Sequence, residues 1–139
     1  MFINKMINIL ILLILIILVC CSLHYQVYEH FNNDSKVIHD IVDKLKKHFP
    51  KIKRLKFYEG DESFTLNKQK VYICTKDKHG YTYDSNVLTY VILHEYTHSI
   101  CPEIGHTPLY KIMFTKVLSK SIRLKLYKPD GQFPTDYCN

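Results

Sequence analysis

The chain has 139 residues, a net charge of +6 and 47% hydrophobic residues. That length allows one modest domain, and the composition is that of a folded protein. Its five cysteines form no CxxC pair, which argues against a zinc ribbon or a CxxC redox motif.

Taken in chain order, the first feature is hydrophobic. Ile9 to Cys21 is an unbroken apolar run, and Met6, Ile7 and Leu23 extend it with Asn8 as the one polar intrusion. It has neither Gly nor Pro and shows no polar residues at helical spacing, so residues 1–24 are expected to form a transmembrane anchor or signal segment. Cleavage before Ser22 is the alternative, but Leu23, Tyr25, Val27 and Tyr28 prolong the apolar character and favour an anchor. Lys5 and the N-terminal amine suggest a cytosolic N-terminus and a lumenal or exterior domain, the arrangement of a single-pass membrane protein. Cys20 and Cys21 sit where the run ends, for packing or acylation. Asn33-Asp34-Ser35 is a glycosylation sequon whose use would report the orientation.

Residues 25–33 read as a linker and 34–139 as the folded domain. Asp34 or Ser35 caps a helix carrying Val37, Ile38, Ile41, Val42, Leu45 and Phe49 at helical spacing until Pro50. Ile52 to Tyr58 reads as a strand. Phe64–Leu66 and Val71–Cys74 read as a hairpin joined around Asn67 to Lys70, followed by a polar loop from Lys76 to Asp84. Asp84 or Ser85 caps the next helix, which is apolar on most sides, is expected to be buried, and ends near Cys101-Pro102. Thr107 caps a last helix with Pro108 in its first position. This order of elements predicts an α+β fold. Two basic stretches, 44–56 and 116–128, read as solvated faces and an edge strand. No aromatic-interleaved nucleic-acid motif accompanies them, so nucleic acid is not the expected partner. At most one disulfide can form among Cys74, Cys101 and Cys138.

His94-Glu95-Tyr96-Thr97-His98 carries the chemistry. Residues four apart share one helix face, so His94 and His98 can both reach one Zn²⁺. Glu95, one step along, points beside the metal, where a carboxylate can serve as general base toward metal-activated water. Two imidazoles and a carboxylate on an internal helix would be costly to bury without a metal. A catalytic zinc site needs a third protein ligand. No Glu lies on the following helix, Cys101 stands where the longer metzincin pattern has Gly, and His106 is the one histidine after the motif. Pro102 ends the helix and Gly105 permits a sharp turn that can bring His106 back to the metal. Cys101 is a competing soft ligand. A tyrosine among Tyr96, Tyr110, Tyr127 and Tyr137 can polarise a carbonyl, and the spacing does not choose between them. His79 reads as a plain loop residue.

His94-Glu95-x-x-His98 followed by Gly105-His106-x-Pro108-x-Tyr110 resembles the compact zinc peptidases of the WLM and SprT-like group. With Tyr72-Ile73-Cys74, Leu126-Tyr127-Lys128-Pro129 and Tyr137-Cys138, the stretch from about residue 58 onward looks most like small metallopeptidase-like proteins of large DNA viruses. The resemblance implies a minimal zincin fold, His94, His98 and His106 as Zn²⁺ ligands, and Glu95 as catalytic base. Unlike many SprT-like enzymes, the chain has no cysteine zinc ribbon. The expected function is a membrane-tethered zinc endopeptidase acting on protein or peptide substrates, in a virion or host membrane. The alternatives are a catalytically silent zinc-stabilised membrane or viral envelope protein, and a DNA-associated protease.

Overall fold

The computed structural model describes the backbone of residues 2–138 and the side chains of residues 6–7, 9–24 and 36–138. The linker 25–33, the Asn33–Ser35 sequon, the interface aromatics Tyr25 and Tyr28, and the Asp34 or Ser35 cap have side chains outside the described residues. The chain divides into two units, 1–33 and 34–139.

Helix α1 spans Phe2–Lys46. Among the described residues no helix is long and apolar enough to cross a membrane. The expected transmembrane helix and the single-pass localisation are therefore corrected. Length gives the physical reason. The unbroken apolar run Ile9–Cys21 rises only about 20 Å at ~1.5 Å per residue, against a hydrocarbon core of about 30 Å.

The second unit is α+β. After α1 come a 3-10 helix at Pro50–Arg54, strands β1 (Lys56–Glu59), β2 (Phe64–Leu66) and β3 (Lys70–Ile73), and helices α2 (Ser85–Ile100) and α3 (Pro108–Arg123). The 3-10 turn replaces the first part of the strand expected over 52–58. Pro50 presets the helical φ, and the Ile52 and Leu55 amides donate to the Phe49 and Ile52 carbonyls. β2 and β3 form the expected hairpin, turning through Asn67 and Lys68, both with positive φ. β1 pairs with β3 in parallel, so the sheet order is β1-β3-β2 and β2 is an edge.

One core holds these elements together. Ile38, Ile41, Val42 and Leu45 of α1 join Ile52, Val71 and Ile73, and Leu88, Val91, Ile92 and Leu93 of α2. Burying each of these large aliphatic side chains contributes about 1.5–3 kcal/mol. α2 is buried on most of its surface, as its near-continuous apolar sequence requires. The Asp84 side chain caps it by accepting from the Asn86 amide at 2.7 Å. Cys74 and Cys138 form a disulfide; Cys101 is a buried free thiol.

Candidate metal centre

The predicted metal ligands and the predicted base lie on α2 or on the loop that leaves it. His94 and His98 stand one helical turn apart near the C-terminus of α2. Cys101 closes the helix with its amide on the Thr97 carbonyl. The chain then turns through Gly105, whose φ of +81° lies in the region that favours glycine, and delivers His106. Directly after it, the Thr107 hydroxyl caps α3 by accepting from the Tyr110 amide at 3.2 Å, with Pro108 in the first turn.

These turns bring His94, His98 and His106 together. The Nε2 atoms are separated by 3.3 Å (His94 and His98), 3.1 Å (His98 and His106) and 3.0 Å (His94 and His106). Among the described residues this is the group of three or more donors able to hold a metal ion, and the Cys101 thiol is not part of it. The donor set suits zinc. Nitrogens at about 2.0–2.1 Å from one tetrahedral centre lie roughly 3.3 Å from each other. Without a cation the triangle is frustrated, because an imidazole nitrogen either carries a proton or offers a lone pair. At least one of the three contacts must then oppose two protons or two lone pairs. A cation facing three lone pairs removes that conflict.

The surroundings disfavour the protonated form of two of the imidazoles, His94 and His98. Burial, followed by the charges His98 and His106 would carry, pushes His94 down to about 4. Burial and then the His106 charge lower His98 as well. Tyr110 from α3 packs among all three rings. It stacks on His98 at 4.2 Å between centroids and meets His94 and His106 edge-on at 5.4 and 4.9 Å. Its hydroxyl donates to the His94 carbonyl at 3.1 Å. Phe114, one turn further along α3, meets His94 edge-on at 5.2 Å.

Glu95 is buried, with 4% of its surface exposed. Burial raises its carboxyl to about 6, and a hydrogen bond from Thr65 opposes the rise. The Thr65 hydroxyl lies 2.8 Å from Glu95 Oε2 and 2.9 Å from the Glu95 carbonyl. Lys68, on the hairpin turn, donates to the Cys101 and Pro102 carbonyls, tying the end of α2 to the sheet. The sequence reading singled out neither Thr65 nor Lys68, and both lie about thirty residues from their partners.

The other tyrosines have separate places. Tyr96 packs edge-on against Phe49 and Tyr127 lies against Tyr90. The Tyr137 hydroxyl donates to the Cys74 carbonyl at 2.6 Å and pairs with Ser63 Oγ at 2.9 Å. His79 sits in the loop after β3, its amide donating to Asp77.

The chain is similar to three viral proteins. It is 39% identical over 87 residues to uncharacterized protein 136R of Invertebrate iridescent virus 6, a match covering 60% of this chain and 49% of that one. It is 38% identical over 86 residues to uncharacterized protein 042R of Invertebrate iridescent virus 3, covering 61% and 54%. It is 39% identical over 97 residues to uncharacterized protein R325 of Acanthamoeba polyphaga mimivirus, covering 63% and 49%. The chain thus spans about half the length of the curated relatives it matches. No family profile matches it. No solved structure matches it.

Proposed function

We propose that this chain is a zinc-dependent peptidase in which His94, His98 and His106 hold Zn²⁺ and Glu95 moves the proton. The likeness to the WLM and SprT-like group belongs to the same proposal. The observation that carries it is the triangle of three Nε2 atoms 3.0–3.3 Å apart beside a buried glutamate. Zn²⁺ bound there would supply Lewis acidity, polarising a carbonyl and acidifying water.

The remaining chemistry falls to side chains of this protein. Glu95 follows directly after His94, so the helix turns it away from the ligand pair and keeps its carboxylate out of the ligand set. As water adds to a scissile carbonyl carbon, Glu95 accepts the water proton. It then passes that proton to the amine nitrogen as the C–N bond breaks. A carboxyl raised to about 6 is ionised at neutral pH and binds a proton more readily than an ordinary glutamate, which suits both halves of the transfer. β2 offers a place for substrate. It is an edge strand, and its middle residue touches Glu95, so an extended peptide paired along it would run beside the carboxylate.

The test is hydrolysis of fluorescein-labelled casein by the full chain, stripped with chelator and then reloaded with one equivalent of zinc. Cleavage should vanish on stripping and return with zinc. Glu95→Gln should retain zinc and lose about a hundred- to ten-thousandfold in rate. A zinc-binding chain that leaves casein intact would instead support the catalytically silent reading.

A further inference from the structure

β2 has three residues, and their alternation isolates one of them. Phe64 and Leu66 are exposed, while Thr65 between them is half-buried and meets α2. Inward positions on a strand favour β-branched side chains, and valine would fill nearly the same space as threonine. What threonine adds is a hydroxyl proton. That proton lies within reach of Glu95 Oε2 at 2.8 Å and of the Glu95 carbonyl at 2.9 Å. Among the described residues, Thr65 is the donor that the Glu95 carboxylate has.

The hydroxyl also stands on a firm mount. β2 pairs with β3 through Phe64 and Tyr72, Thr65 and Val71, and Leu66 and Lys70. Just before β2, Ser63 Oγ accepts from the Cys74 amide at 2.9 Å and pairs with the Tyr137 hydroxyl. Just after it, Lys68 is tied to the end of α2. A glutamate side chain has three rotatable bonds, and a proton-transfer group loses rate when its geometry wanders by an ångström. Fixing one carboxylate oxygen removes most of that freedom.

We infer that Thr65 is a positioning residue for Glu95: its hydroxyl holds Oε2 and leaves Oε1 as the oxygen that exchanges the proton. The catalytic consequence rests on the peptidase reading, whereas the contact stands apart from it. The first test compares Thr65→Val, which removes the hydroxyl at constant shape, with Thr65→Ser, which keeps it. With zinc-loaded full chain and fluorescein-labelled casein, Thr65→Val should lower kcat about 10- to 100-fold. KM should stay within about twofold and zinc stoichiometry should be unchanged, because only the proton-transfer step is disturbed. Thr65→Ser should recover most of the lost kcat. A Thr65→Val chain that turns over like the parent, or a Thr65→Ser chain as slow as Thr65→Val, would overturn the inference.

The second test needs no activity. In zinc-free protein, Thr65→Val, Glu95→Met and the double variant form a cycle read by urea unfolding. The shifts in midpoint should not add, since either single change already breaks the bond; additive shifts would refute the contact. If the parent chain leaves casein intact while the cycle shows coupling, the peptidase reading falls and the contact survives.

Discussion

Removing the Cys74–Cys138 disulfide should destabilise the domain about as much as opening a large cavity in its small core. The two cysteines are 64 residues apart. In the chain-entropy description, cross-linking a loop of that length removes about 14 cal/mol/K from the unfolded ensemble, or about 4 kcal/mol at 25 °C. The bridge joins the end of β3 to the segment around Tyr137, two stretches far apart in the chain. The hydrogen bonds beside it, from the Cys74 amide to Ser63 and from Tyr137 to the Cys74 carbonyl, do not depend on the sulfurs. They limit how far the native state can relax when the bridge is lost. The assay is urea unfolding of Cys74→Ser/Cys138→Ser against the parent, each with and without a phosphine reductant. The parent should lose about 4 kcal/mol on reduction, the double variant should start that much lower, and the reductant should not shift it further. Zinc stoichiometry should be the same in both, because neither sulfur belongs to the histidine cluster. A loss below about 1 kcal/mol, or an equal response of both chains to reductant, would refute the reasoning.

Gly105→Ala should cost about 1–2 kcal/mol and weaken zinc binding. The φ of +81° resists any Cβ even though nothing lies within 4 Å of where it would sit, and the same turn aims His106; unchanged zinc affinity measured by competition with a chromophoric chelator would count against it. Zinc affinity should also fall less steeply with acid than for three ordinary imidazoles. Protonation removes the lone pair a ligand needs, so a lowered pKa moves that loss to lower pH. With His94 pushed down to about 4, it competes with protons only near that pH. The affinity near pH 5 should thus fall by at most about two powers of ten per pH unit rather than nearly three. A slope of three in a pH series of metal titrations would show that His94 titrates normally.

What the sequence determined by itself was local. The four-residue interval between His94 and His98 places both on one face of any helix, whatever surrounds it. Asp84 and Thr107 mark helix starts through bonds that reach only two or three residues, and Pro108 does so through its fixed φ. Gly105 next to His106 announced a sharp turn because glycine alone enters that region of φ freely. The α+β order and the β2–β3 hairpin followed from equally short-range patterns. Pro50 was legible as a helix stop, but the 3-10 turn after it was not, since Ile52, Leu55 and Phe57 suit either conformation. The apolar run at residues 9–21 showed its character but not a span long enough to cross a bilayer.

Tertiary structure decided the rest. Cys74 could have bridged to Cys101 or Cys138, and only the path of the C-terminal tail past β3 selects Cys138. The parallel pairing of β1 with β3 makes β2 an edge, and no residue of β1 encodes its partner. Thr65 meets Glu95 across thirty residues because the hairpin packs on α2 in one register. Tyr110 reaches the His94 carbonyl because α3 crosses the same face. Backbone periodicity sets what lies a few residues away. Contacts between distant segments exist only once the core has chosen how those segments pack.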